Sequence, residues 1–254
     1  MKYITKYKSP NYNSRKNSKI QLIIIHYTAL KNTLDAASYL CNKENKVSSH
    51  YLISQNGTVY NLVEDKFRAW HAGQAFWQQI TDINSVSIGI ELDYNPKGKN
   101  NKFSFKMINS LKKIIHDKQI KYKIDKNSIL GHSDISPFRK IDPGKGFPWK
   151  VLVSSNIVLE FKKLKKNEIR IIEEWFNNYN VKSKKHIIII AMSLIGYDTR
   201  AINNDPKFYN KLISAYKSRY LNKNNFNNKL VYRTVISHLF NFMLTKNKIN
   251  LLQR

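Results

Sequence analysis

The stretch Ile20-Gln21-Leu22-Ile23-Ile24-Ile25-His26-Tyr27 decides the fold class. Ile20–Tyr27 is an apolar run rich in β-branched isoleucine. A strand exposed on one face would alternate, so this run predicts a strand buried on both faces. The lead-in to about Lys19 is polar, contains Pro10, and reads as extended chain. Downstream, Thr33–Cys41 reads as a short helix. His50–Ser54 and Thr58–Val63 are strand candidates on either side of Gln55-Asn56-Gly57. Asn-Gly between two such runs is a strong hairpin signal, because both residues tolerate positive φ. Ser87–Leu92 (SIGIEL) reads as another strand. Ser104 is placed to cap a helix whose Met107, Ile108, Leu111, Ile114 and Ile115 fall on one face. Ser128–Leu130 is a short strand running into Gly131-His132. Strands interleaved with helices predict an α/β domain over about residues 15–155.

Past the basic stretch Lys162–Lys166 the texture changes, and every element reads as helix. Glu168–Tyr179 is amphipathic, and Lys185–Ile195 is strongly apolar with Gly196 where a terminating glycine belongs. Asp205-Pro206 opens a helix to about Tyr220 as a cap followed by proline in the first turn. Leu230–Leu244 supplies the last helix. These make a small all-α domain from about 165 to 254.

With 254 residues the chain has room for one to two domains. Lys and Arg number 44 against 17 Asp and Glu, a net charge of +27, which suits an anionic partner. The lysines are spread along the chain among abundant Asn, Ile and Tyr, a set that AT-rich codons also produce, so charge alone does not identify that partner. No nucleic-acid-binding motif accompanies it, and nucleic acid is not expected as a partner. The single cysteine, Cys41, excludes an internal disulfide framework and zinc sites built on cysteine pairs. The apolar run at 187–195 is about half the ~20 residues of a membrane span. The N-terminal residues lack the apolar segment of a secretory signal.

Metal-competent residues cluster at strand ends in the α/β half. His26 closes the first strand, His132 follows the strand at 128–130, and Asp142 lies ten residues on in Arg139-Lys140-Ile141-Asp142-Pro143-Gly144. Two histidines and one carboxylate suit Zn²⁺ and leave a fourth position for water, as in a catalytic site. Glu91, among apolar neighbours in Ile88-Gly89-Ile90-Glu91-Leu92, either points inward with a raised pKa useful to a general base, or faces solvent on an edge strand. Spacing leaves both open. Lys140 shares the direction of Asp142 if that segment is extended.

These residues resemble the type 2 N-acetylmuramoyl-L-alanine amidases, the family of AmpD- and AmiD-like enzymes and peptidoglycan recognition proteins. The resemblance runs in order through Ser9-Pro10-Asn11-Tyr12-Asn13, Ile25-His26-Tyr27-Thr28-Ala29, Val47-Ser48-Ser49-His50-Tyr51-Leu52-Ile53 and Arg68-Ala69-Trp70-His71-Ala72-Gly73. It continues through Ser87–Leu92, Gly131-His132-Ser133-Asp134-Ile135 and Lys140-Ile141-Asp142-Pro143-Gly144, covering about residues 9–150. The opening SPNYNSR, the helical tail and its Leu194-Ile195-Gly196-Tyr197-Asp198 look most like the AmiD branch.

The resemblance implies an α/β fold with a central mixed β-sheet flanked by helices, plus a small all-α C-terminal domain. The catalytic unit would span 1–160 and a peptidoglycan-binding-like unit 165–254. It implies one Zn²⁺ per chain on His26, His132 and Asp142, Glu91 as general base and Lys140 as oxyanion stabiliser. The substrate would be peptidoglycan or a muropeptide, cut at the amide between the lactyl group and L-Ala. Tyr27, His50, Trp70 and His71 are candidates for substrate contact, with His50 also readable as a packing residue behind the metal. A monomer is the default expectation. Action in the envelope or periplasm is expected, with the cytoplasm as the alternative because no signal peptide is visible. The competing reading is a protein that recognises peptidoglycan without cutting it.

Overall fold

The computed structural model describes residues 3–202, 205–221 and 228–252, with side chains described as far as 244. The outermost limits drawn for the two units, at 1 and 254, fall outside those residues. In chain order the elements begin with β1 (Tyr12–Ser14), β2 (Leu22–Tyr27), α1 (Thr33–Cys41), β3 (Tyr51–Ile53) and β4 (Val59–Asn61). Then come β5 (Phe67–Ala69), α2 (Ile83–Val86), β6 (Ser87–Leu92), α3 (Phe105–Tyr122), β7 (Ile129–Gly131) and α4 (His132–Ile135). The rest is helical: α5 (Trp149–Ser154), α6 (Lys166–Asn178), α7 (Lys184–Ile195), α8 (Pro206–Tyr220) and α9 (Asn228–Leu252).

The sheet is mixed, in the order β4-β3-β6-β2-β7. β2 runs parallel to β6 and β7, β3 runs parallel to β6, and β4 closes one edge antiparallel to β3. Leu22–Ile25 are each at most 4% exposed, as the apolar run of β2 requires. The β3–β4 hairpin turns at Gly57, whose φ of 84° and a would-be Cβ 2.8 Å from the Lys106 carbonyl oxygen both demand glycine. Within the extended lead-in, Tyr12–Ser14 pairs antiparallel with Phe67–Ala69 as a separate two-stranded ribbon. The caps fall where the sequence puts them. Ser104 accepts from the Met107 N–H at 3.1 Å, Asp205 accepts from the Lys207 N–H ahead of Pro206, and Gly196 ends α7.

Each sheet face carries its own core. Ile23, Ile25, Ile88 and Ile90 pack against Met107, Leu111 and Ile115 of α3. Leu22, Ile24 and Leu130, on the opposite face, share one cluster with Ile188 and Met192 of α7, Leu212 and Tyr216 of α8, and Val235 of α9. The C-terminal helices therefore complete the burial of β2, each enclosed apolar side chain contributing about 1.5–3 kcal/mol. Among the described residues no helix is long and apolar enough to cross a membrane.

His238 and His50 are both buried. His238 of α9 stacks on Phe161 with ring centroids 4.7 Å apart and accepts a 3.3 Å hydrogen bond from the Tyr216 hydroxyl. Burial, and then the charge of Arg219, push it down to about 3. His50 is pushed to about 3 by burial and then by Arg15, against its hydrogen bond to the Phe67 carbonyl. Both are neutral when folded and must charge on acid unfolding. Their stabilisation is complete above the unfolded value of about 6.5 and is lost as pH falls toward 3. Denaturant unfolding of the metal-free chain is expected to show about 2–3 kcal/mol less stability per histidine at pH 4.5 than at pH 7. A midpoint unchanged across that interval would contradict this account.

Candidate active site

Three of the predicted residues converge at the C-terminal ends of the parallel strands, where open α/β sheets place their ligands. His26 is on the last turn of the β2 pleat, His132 is the first residue beyond β7, and Asp142 lies on the following loop. His26 Nδ1 and His132 Nδ1 are 2.9 Å apart, and Asp142 Oδ2 is 3.2 Å from the first and 3.1 Å from the second. Ligand atoms bound tetrahedrally at 2.0–2.1 Å would lie about 3.3 Å apart, so this triangle fits a zinc-sized ion. All three residues are buried, which favours a ligand role over a solvated cluster.

Hydrogen bonds on the far side of each ring set the proton positions. The Ser87 hydroxyl donates to the Ile83 carbonyl at 2.6 Å, so its oxygen accepts from His71 Nε2–H at 3.1 Å. His71 Nδ1 is then free to accept from His26 Nε2–H at 3.0 Å, and His26 Nδ1 keeps its lone pair for a metal. His132 Nε2–H donates to the Ala72 carbonyl at 3.0 Å, leaving its own Nδ1 bare. The Asn84 side-chain oxygen holds the loop in place by accepting from the N–H groups of His71 and Ala72. On the other side, the Asp142 carbonyl accepts from the Ser133 N–H at 2.8 Å, which seats the Asp142 loop on α4.

Gly89 makes room for this relay, because a Cβ there would lie 2.4 Å from His71 Cγ. Gly89→Ala is expected to push His71 off His26 and weaken zinc affinity by about 10–100-fold, the usual cost of losing a partner of a metal-ligating histidine. Competition with a chromogenic chelator measures it, and unchanged affinity would remove His71 from the metal site.

Electrostatics agree with the geometry. Burial, then the charge of His132, push His26 down to about 4 against the pull of Asp142, so it is neutral near pH 7. Burial alone would raise the Asp142 carboxyl, but the charge and hydrogen bond of His132, and those of His26, hold it below the usual carboxylate range.

Glu91 stands in register opposite His26, and its strand β6 is the middle strand of the sheet, not an edge. Paired residues on neighbouring strands point to the same face, so its carboxyl faces the metal side. Glu91 Oε2 is buried without a hydrogen-bond partner. Burial, then Asp142, push its carboxyl up to about 8, with Lys140 opposing.

A cleft of about 400 Å³ opens over these groups, lined in part by Tyr27, Thr28, His71, Glu91 and Lys140. His50 and Trp70 are not part of this lining. His50 is fully buried, accepts from the Gly89 N–H through Nδ1, and packs beside His71 with centroids 5.7 Å apart. The Trp70 indole N–H donates to Asn13 at 3.0 Å. Asp134 and Tyr197 fall in stretches that carry the resemblance, but nothing in the local sequence joins them to each other or to Arg219, and the three meet two residues from His132. Asp134 Oδ1 accepts from the Tyr197 hydroxyl at 2.7 Å, and Oδ2 accepts from the Gly131 N–H at 2.7 Å and pairs with Arg219.

Comparison with known proteins extends the picture. AmpD of Haemophilus influenzae, a 1,6-anhydro-N-acetylmuramyl-L-alanine amidase, is 35% identical over 167 residues, which are 58% of this chain and 89% of that protein. AmiD of Escherichia coli, an N-acetylmuramoyl-L-alanine amidase, is 35% identical over 152 residues, 55% of this chain and 54% of its own length. The fold is shared with AmpDh3 of Pseudomonas aeruginosa, solved in complex with anhydromuramic pentapeptide. That structure has a TM-score of 0.71 at 24% identity and covers 95% of this chain and 96% of its own. E. coli AmiD, solved with anhydro-N-acetylmuramic acid-L-Ala-D-γ-Glu-L-Lys, has a TM-score of 0.68 at 24% identity, with 92% and 91% covered. A family model described as N-acetylmuramoyl-L-alanine amidase matches residues 16–145, the span that holds both histidines, Glu91 and Asp142. The chain belongs to the N-acetylmuramoyl-L-alanine amidase family.

Proposed function

We propose that the chain is a zinc-dependent amidase that hydrolyses the amide between the lactyl group of N-acetylmuramic acid and L-Ala of the stem peptide. The observation that carries this reading is the buried triangle of His26 Nδ1, His132 Nδ1 and Asp142 Oδ2, with edges of 2.9–3.2 Å and Glu91 facing it from the adjoining strand. The chemistry zinc supplies when held there is Lewis acidity toward the carbonyl and a more acidic attacking water. Glu91 takes the proton of that water as it attacks and returns it to the departing amine nitrogen. Lys140, on the cleft wall, donates to the carbonyl oxygen as negative charge develops, a contribution of about 3–4 kcal/mol for one well-aimed donor. Tyr27 and Thr28 flank the substrate beside the first ligand.

The test is elemental analysis of the purified protein, paired with mass spectrometry of products from disaccharide-peptide muropeptides. About one zinc per chain is expected, with release of free stem peptide that a chelator stops and added zinc restores. Zinc without turnover would instead favour recognition without cleavage. Absence of both would defeat the metal assignment.

A further inference from the structure

Helix α6 buries Ile169 and Phe176 in the core it shares with α7, α8 and α9, and Ile172 packs against that core. Its apolar surface does not stop there. Ile171, Trp175 and Tyr179, the last of them capping the helix, follow at four-residue steps and so share one side of it over about 12 Å. They are 62%, 53% and 67% exposed. The Trp175 and Tyr179 rings lie together with centroids 5.0 Å apart, which makes one aromatic patch. Lysines bracket this stripe. Lys162, Lys163, Lys165 and Lys166 lead into it, Lys182, Lys184 and Lys185 follow it, and Arg170 lies between. Only Glu168, Glu173 and Glu174 oppose these eight cations from 162 to 185. Glu168 is engaged by the Lys165 N–H, and Glu174 pairs with Arg170 at 3.3 Å. Lys184 and Lys185 rest over the Tyr232 and Tyr209 rings, whereas Lys162, Lys163, Lys165, Lys166 and Lys182 are all exposed.

We propose that the Ile171–Trp175–Tyr179 stripe docks on the surface of an anionic lipid bilayer, with α6 lying along the headgroup layer. Tryptophan, tyrosine and isoleucine gain by entering the boundary between headgroups and acyl chains, and flanking lysines gain beside anionic headgroups. A surface that offers anionic groups and an apolar layer side by side satisfies both features at once. A polyanion without apolar surface would leave the stripe in water. A second copy of the chain would set lysines against lysines, each copy carrying a net charge of +27. The stripe shares no residue with the metal cleft, so the docking surface stands or falls apart from the amidase reading.

The experiment is co-sedimentation of the full chain with vesicles of equal parts phosphatidylglycerol and phosphatidylcholine, compared with phosphatidylcholine alone. At about 0.15 M salt the chain is expected to bind the anionic vesicles about tenfold or more tightly, and that binding should fall about fivefold or more at roughly 0.5 M. Trp175→Ser should weaken it about tenfold, Trp175→Phe should keep most of it, and Lys162→Glu with Lys163→Glu should weaken it about tenfold. These side chains are exposed, so the melting temperature is expected to stay at its wild-type value in all three variants. Equal binding to both vesicles, binding to neither, or anionic binding that Trp175→Ser or the double lysine variant leaves unchanged overturns the proposal. A dimer that Trp175→Ser dissociates, without vesicle binding, would overturn it in favour of a second copy. Capture by purified peptidoglycan that Trp175→Ser abolishes, again without vesicle binding, would overturn it in favour of a wall polymer.

Discussion

Glu91→Gln is expected to lower kcat by ~10²–10⁴-fold, the range a positioned general base contributes, while zinc content and melting temperature stay at wild-type values. Glutamine keeps the shape and removes only the proton acceptor. Oε2 has no hydrogen-bond partner, so the substitution breaks no bond that holds the fold. It also removes a carboxyl that burial and Asp142 already push up to about 8, so destabilisation is not expected. A divalent cation one strand away favours the ionised form. The acid limb of kcat/KM is therefore expected below pH 8 in the zinc-loaded protein, with activity rising as Glu91 loses its proton. Single-turnover release of stem peptide measures the loss. A variant within threefold of wild type would take the base role away from Glu91.

Why spacing alone leaves the direction of Glu91 open is a question of register. SIGIEL shows a carboxylate in a strand, but its direction depends on which strands lie beside β6, and those partners are 39 and 65 residues away in the chain. The β2 run, by contrast, declares its burial within itself, and Ser104 and Asp205-Pro206 declare their helix starts through local capping chemistry. The candidate ligand set is legible through residue type only in part, because a histidine at a strand end also serves as a packing residue, and the resemblance is what joins His26, His132 and Asp142 into one set. His71 was legible as a cleft residue and not as the link between His26 and Ser87, since that role needs the Gly89 gap to exist. His50 shows the same limit, a histidine whose sequence neighbours cannot reveal that the Gly89 N–H and the Phe67 carbonyl occupy both ring nitrogens.

The C-terminal helices make the largest difference between what the sequence displays and what the structure does with it, and their role is tested by Arg219→Met. Arg219 pairs with Asp134 where their side chains are 4% and 1% exposed, donates to the Ile129 carbonyl at 2.7 Å, and lies 4.4 Å over the Trp149 ring. Methionine keeps much of the stem and leaves Asp134 with a buried charge that the Tyr197 hydroxyl and Gly131 N–H cannot neutralise. Stranding one partner of a buried pair costs about 3–5 kcal/mol, so a large drop in the denaturation midpoint is expected. Adding Asp134→Asn removes the stranded charge, and the double variant is expected to be more stable than Arg219→Met alone. A loss below about 1 kcal/mol, or a double variant no better than the single, would mean the pair contributes little. Asp134 is two residues from His132 in the same short helix, so the unpaired carboxylate should also loosen the zinc site. Weaker zinc affinity in Arg219→Met, recovered in the double variant, would make the helical tail a support of the metal centre in addition to a cover for β2.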